Sequence, residues 1–189
     1  LGEDAFMKIN QAVILCGGQG KRLRPYTAQL PKPMIPCNGN PFLKYLLEQL
    51  RSQGVKRILL LTGYLASQIE KFFGSGSDLG LKIEYFRGPI EWETGKRIWE
   101  ARNSIDDNFM LLYSDNFIPI NLKDLIVKHQ ESNKPLTLTI SSKVNGNIAL
   151  DDHGLVEEYN EEREREDLNF VEIGYMIVEK NSIFGYLRS

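Results

Sequence analysis

Between Gly17 and Pro36 the chain sets three glycines, Gly17, Gly18 and Gly20, ahead of four cations, Lys21, Arg22, Arg24 and Lys32, and admits no carboxylate. Glycine reaches positive φ and lets a bulky ligand lie directly against backbone N–H groups. The cations add the attraction that a polyphosphate needs, so shape and charge both point to a phosphate cradle. Neither common glycine motif fits. A P-loop requires four residues between its first glycine and the Gly-Lys pair, then Ser or Thr, yet Gly20-Lys21 is followed by Arg22. A dinucleotide fingerprint would need its third glycine at Leu23. The second place for chemistry is Asp115, after the apolar run Phe109 to Tyr113 and Ser114. An acid at the carboxyl end of a parallel strand points into the crevice where α/β sheets hold ligands; the alternative is a turn-forming aspartate.

These residues need elements to hold them. Ala12 to Cys16 is a short run rich in branched residues, the pattern of a strand buried on both faces, and Leu15 at its end leads into the glycines. Cys37 to Asn40 reads as a turn, with Asn40 as N-cap and Pro41 at the first position of a helix whose apolar residues run to Leu50. Val55–Leu61 predicts a strand, Tyr64–Phe73 a helix, Leu81–Phe86 a strand, Glu93–Ile105 a helix, Phe109–Tyr113 a strand and Leu122–Glu131 a helix. This alternation argues an α/β fold, a doubly wound and mostly parallel sheet. From Pro135 the strands shorten (Leu136–Ser141, Leu155–Tyr159, Val171–Val178) and turns intervene, which predicts antiparallel strands added in the C-terminal third. Carboxylates crowd Asp151 to Glu172 against only Arg163 and Arg165, the composition of a solvated surface loop.

At 189 residues and 42% hydrophobic content the chain suffices for one domain, read as 1–189, and a net charge of −2 argues against general affinity for nucleic acid or membrane. No apolar run reaches spanning length, and the start, Leu1 to Phe6, carries acids rather than a basic leader. Met7 reads as a natural start, with Leu1 to Phe6 a tag remnant or the tail of an upstream segment. A cytoplasmic location follows, with Cys16 and Cys37 as reduced, partly buried thiols in preference to a disulfide. His129 and His153 stand far apart and read as surface or turn residues rather than metal ligands.

The glycine stretch resembles the signature of the sugar-1-phosphate nucleotidyltransferases, Gly-Gly-x-Gly-x-Arg-Leu-x-Pro followed by Pro-Lys-Pro. Gly17, Gly18, Gly20, Arg22, Leu23 and Pro25 match the first block, and Pro31, Lys32, Pro33 and Met34 the second. The resemblance implies a Rossmann-like fold and attack of a sugar 1-phosphate on the α-phosphorus of a nucleoside triphosphate, with Mg²⁺ as cofactor. Under it Arg22 grips the β and γ phosphates, Lys32 sits at the α-phosphate or the attacking phosphate, and Asp115 of the Ser114-Asp115 pair holds the metal. Leu15, Gly17, Gly18, Gly20, Lys21, Arg22, Thr94 and Gly95 form the nucleotide side. Lys32, Asp115, Glu161, Glu172 and Gly174 form the sugar phosphate side. The members most similar in their motifs are mannose and heptose 1-phosphate guanylyltransferases, which favours GTP.

Three departures matter. The family's Leu-Gly-Thr-Ala-Gly loop becomes Trp92-Glu93-Thr94-Gly95-Lys96-Arg97, where Lys96 and Arg97 are either extra phosphate contacts or the first solvated turn of a helix. A Glu-Lys-Pro motif retains Glu161, with Glu162 in the lysine position and Arg163 as a substitute cation. The family continues to a second metal-binding aspartate that this chain does not contain, so a C-terminally truncated domain is expected. Two other readings stand beside sugar transfer: nucleotidyl transfer to phosphocholine, suggested by Trp92 between Glu91 and Glu93, and a non-catalytic nucleotide-binding regulatory domain. The oligomeric state is unassigned.

Overall fold

A computed structural model describes residues 7–160, 162 and 168–187. Strand β1, Gln11–Cys16, forms the middle of the main sheet. Two short strands, β2 (Pro36–Cys37) and β3 (Asn40–Pro41), pair only with each other and lead into helix α1, Phe42–Ser52. The N-cap of α1 is therefore Pro41, and Asn40, expected as the cap, instead accepts a hydrogen bond from Lys44 Nζ at 2.9 Å. The hairpin pairing of Asn40 with Cys37 draws the cap residue out of the helix.

Strand β4 (Arg57–Thr62), helix α2 (Ala66–Phe73) and strand β5 (Lys82–Arg87) follow. The helix expected over 93–105 divides: α3 is Thr94–Glu100, and a 3-10 turn, Arg102–Ser104, bends the chain into β6, Asn108–Tyr113. Helix α4, Leu122–Ser132, is capped by Asn121, whose side chain accepts from the amides of Lys123 and Asp124, and it stops at Asn133 in the left-handed region. The last third carries β7 (Leu136–Ser142), β8 (Ile148–Leu150), β9 (Val156–Tyr159), β10 (Phe170–Glu179) and the short α5 (Lys180–Ile183).

The main sheet runs β5-β4-β1-β6-β10, with β1, β4, β5 and β6 mutually parallel and β10 antiparallel to β6. Strands β7, β8 and β9 extend it in antiparallel fashion through β10. Alternation of side chains divides the core into two layers. Ala12, Ile14, Ile58 and Leu60 meet Leu43, Leu46, Leu47 and Leu50 of α1 on one face. Val13, Leu59, Leu61 and Phe109 meet Ile98 of α3 and Ala101, its C-cap, on the other. That double covering is why β1 reads as a continuous apolar run.

Gln11 is the polar exception, fully buried at the foot of β1: its Nε2 donates to Ser104 O and its Oε1 accepts from Asp106 N, both at 2.8 Å. It ties β1 to the turn that starts β6. His129, expected at the surface, is buried on α4 with Nδ1 at 2.7 Å from Thr137 Oγ1, because α4 lays that face over β7 and β10. Within the expected acidic loop, Val156–Tyr159 is the strand β9, paired antiparallel with β8 just before it.

Candidate functional site

The chain leaves β1 for β4 on one side and returns from the β5 edge to β6 on the other, so the strand order reverses between β1 and β6. In open α/β sheets that reversal opens a crevice at the carboxyl ends of the strands. Leu15 and Tyr113 are in register there, which brings Cys16-Gly17 and Ser114-Asp115 out side by side. Buried Ser114 fastens the two ends, its Oγ donating to Leu15 O at 2.7 Å. A cavity of about 330 Å³ opens above them, walled by the glycine loop, Lys32 and Pro33, Trp92 to Thr94, Arg97 and Tyr113 to Asp115.

The glycines differ in what they do. Gly18 is exposed and nothing lies within 4 Å of where its Cβ would be, so its backbone is open to a ligand. Gly20 holds φ +60° and turns the chain, with Thr27 Oγ1 donating to its carbonyl at 2.8 Å. Beyond it come 3-10 turns at Lys21–Leu23, Tyr26–Ala28 and Lys32–Met34. The last returns Lys32 to the cavity, where its Nζ donates to Asp115 Oδ2 across 83 residues of sequence. Lys21 and Arg22 are exposed on the first turn, outside the cavity wall, and make no ion pair among the described residues.

On the opposite wall Thr94 faces the cavity, while Gly95 faces an adjoining hollow of about 500 Å³ with Trp92, Lys96 and Tyr186. Lys96 is exposed, its Nζ 5.7 Å from the centre of the Trp92 ring. Arg97 answers to neither sequence alternative, solvated turn or phosphate ligand. It is 4% exposed, and its guanidinium donates to Thr62 O at 2.7 Å and Pro89 O at 2.6 Å. The sequence did carry a sign of this: Arg97 stands four positions before Ala101, on the helical face that also buries Ile98.

Glu172 and Gly174 lie behind the wall. Glu172 accepts from Gly174 N and from the Tyr113 hydroxyl; burial pushes its pKa up, which these bonds oppose. Burial likewise pushes Tyr113 up to about 12, with Glu172 adding to the shift. Gly174 has φ +89°, and a Cβ there would stand 2.8 Å from Asn116 Nδ2. Glu161 and Arg163 lie outside the described residues. Of the two thiols, Cys16 is buried and Cys37 is exposed rather than partly buried, since β2 is exposed on both residues. Tyr113 and Ser114 escaped sequence reasoning as site residues, although they immediately precede Asp115, and Trp92, considered there only for a phosphocholine acceptor, lines the cavity.

Among the described residues no group of three or more His, Cys, Asp or Glu could cage a metal. Two carboxylates line the cavity, Asp115, paired with Lys32, and exposed Glu93, a sparse set that suits Mg²⁺ shared with a ligand's phosphates, since that ion keeps several waters and takes only one or two carboxylates. The crevice thus brings together an open glycine backbone, the cations Lys32 and Arg97, the acids Glu93 and Asp115, and an apolar flank of Leu15, Pro33 and Trp92.

A family model described as nucleotidyl transferase matches residues 11–186. Mannose-1-phosphate guanylyltransferase of Mycobacterium tuberculosis is 32% identical over 177 residues, which cover 91% of this chain and 49% of that protein. D-glycero-alpha-D-manno-heptose 1-phosphate guanylyltransferase of Aneurinibacillus thermoaerophilus is 35% identical over 131 residues, covering 69% and 56%. The chain therefore spans about half the length of these curated relatives. Among solved structures, HddC from Yersinia pseudotuberculosis complexed with GMP-PN superposes with a TM-score of 0.78 at 27% identity, covering 94% of this chain and 80% of that one.

Proposed function

The chain belongs to the nucleotidyl transferase family, and on that premise we propose that it transfers a nucleotidyl group from a nucleoside triphosphate, GTP by preference, to a sugar 1-phosphate, releasing pyrophosphate and an NDP-sugar. The observation that carries this reading is the meeting of Lys32 and Asp115 beside the glycine loop at the strand-order reversal. The preference for GTP is supported by the names of the two guanylyltransferase relatives and by the GMP-PN complex of HddC.

In this reaction an oxygen of the sugar phosphate forms a bond to the α-phosphorus as the bond to the β-phosphate oxygen breaks. Two anions must approach, so neutralisation and alignment are what the protein has to supply. Gly17, Gly18 and Gly20 offer backbone to the triphosphate, and Lys32 places a compact charge between the reacting phosphates. Arg22, poised on an exposed turn beyond the wall, takes the outer phosphates by swinging its long side chain inward. Asp115 would hold Mg²⁺, which supplies charge neutralisation on phosphate oxygens when bound. Lys32 then leaves the carboxylate for the phosphate, so the Lys32–Asp115 contact belongs to the resting crevice. Thr94 borders the nucleotide, with Gly95 beside it at the adjoining hollow, while Glu172 and Gly174 act on the sugar side through Tyr113. A cytoplasmic location fits a reaction that consumes a nucleoside triphosphate. Among the described residues no helix is long and apolar enough to cross a membrane. A phosphocholine acceptor is disfavoured, since Lys96 already lies over the Trp92 ring that would take a quaternary ammonium.

The test is Mg²⁺-dependent pyrophosphate release with GTP, UTP, CTP and dTTP crossed with mannose, heptose and glucose 1-phosphates and phosphocholine. Release with GTP and a mannose or heptose phosphate is expected. Triphosphate binding without release from any pair would leave a nucleotide-binding domain in place of an enzyme.

A further inference from the structure

Arg97 is buried where three parallel strands end. Its Nη1 donates to Thr62 O at the end of β4, and its Nη2 to Pro89 O beyond β5 and, at 3.3 Å, to Trp92 O. Three glycines make room for the guanidinium. A Cβ at Gly17, just after β1, would stand 2.5 Å from Arg97 Cζ; one at Gly63, just after β4, would stand 3.1 Å from Nη1; one at Gly88, just after β5, would stand 2.9 Å from Nη1. No carboxylate pairs with this charge among the described residues. A desolvated cation compensated only by carbonyl dipoles is costly, and an apolar residue would fill the space at less expense. The site where this cost is borne is the wall of the crevice that receives phosphates.

We propose that Arg97 is a positioning residue for the nucleotide: its planar fork clamps the segments after β1, β4 and β5 to the Trp92 turn as one preformed wall, and its unpaired positive charge beneath that wall favours the bound triphosphate. The inference rests on the nucleotide reading of the crevice. It implies that Arg97 acts mainly on nucleotide affinity. The fork also explains why lysine cannot replace it, since an ammonium is compact and cannot span the Thr62 and Pro89 carbonyls in one plane.

The experiment measures GTP affinity by calorimetry, together with KM and kcat for pyrophosphate release and thermal melts, for wild type, Arg97→Ala, Arg97→Lys and Gly88→Ala. Arg97→Ala is expected to bind GTP about tenfold or more weakly, with kcat changed much less than KM, because loosening the wall misplaces the ligand. Methylguanidinium added to Arg97→Ala should restore affinity. Arg97→Lys should keep a raised KM, and Gly88→Ala, which drives a methyl into the Trp92 ring at 2.6 Å and the guanidinium at 2.9 Å, disturbing the same clamp from its other side, should resemble it. If Arg97→Ala does not fold, Arg97→Lys and Gly88→Ala decide the matter. Folded variants that bind GTP as tightly as wild type, or methylguanidinium that restores the melt and leaves affinity low, would overturn the positioning role while the proposed reaction stands. A wild-type protein that binds none of the four triphosphates would overturn both.

Discussion

Replacing Lys32 by Met separates catalysis from stability, because the structure assigns this side chain little of the second. Its ion pair with Asp115 is open to water, with side-chain exposures of 34% and 35%, and pairs so placed contribute at most about 1 kcal/mol. Met keeps the stem that follows the Cβ, which stands 3.2 Å from where a Cβ on Gly20 would be, and Asp115 loses its partner at a place where water can solvate it. A chain of this size should therefore melt no more than about 2–4 °C lower. Turnover should fall far more, by about 10²- to 10³-fold, the usual effect of removing one group that stabilises developing charge. The assay pairs initial rates of pyrophosphate release at saturating GTP and sugar phosphate with a thermal melt of the same preparation. Turnover within about threefold of wild type, with an unchanged melt, would refute the role given to Lys32. A melt lowered by more than about 8 °C would show that the ion pair holds the fold, contrary to its exposure.

Further outcomes follow from the core. Gln11→Leu should destabilise by roughly 1–3 kcal/mol, because it removes the fully buried partner of Ser104 O and Asp106 N, which are themselves only part-buried; an unaltered urea midpoint would contradict this. Burial holds the pKa of His129 below its ordinary 6.5, outweighing the pull of Glu179 at 3.5 Å. Its contribution to stability is thus full above pH 6.5 and lost as pH falls from there through the lower folded pKa, since the unfolded chain takes up the proton first. His129→Gln should flatten that acid limb, and a wild-type-to-mutant difference that is constant from pH 7.5 to 5.5 would show the reasoning wrong. At pH 8 an aromatic disulfide reagent should label exposed Cys37 quickly and spare Cys16, whose thiol burial pushes up to about 12; both should react once the chain unfolds. Rapid labelling of two thiols in the folded protein would contradict the burial of Cys16.

Much of the frame was readable because local patterns were unopposed. The β1 run, the α1 leucines and the alternation to residue 131 each follow from a periodicity that the two-layer core satisfies. The errors came where a longer-range partner prevailed. Asn40 has the chemistry of a cap, yet hairpin pairing with Cys37 claimed it. Arg97 looks solvated in a stretch that holds Glu93, Lys96 and Glu100, and only carbonyls from residues 62 and 89 make its burial tolerable. His129 lies on a helix of mixed polarity whose buried face is chosen by β7 and β10.

The sequence by itself determined the chemistry on offer: glycines that free a backbone, a run of cations without acids, an aspartate after an apolar strand, and the family these belong to. Those are properties of residue type and spacing, which folding does not alter. Only the tertiary structure decided which of them meet. It set Lys32 against Asp115 across 83 residues, left Arg22 outside the wall, and placed Arg97 among three glycines from three strand ends. Such encounters depend on strand order and register, and these follow from how the whole core packs, which no local stretch of sequence encodes.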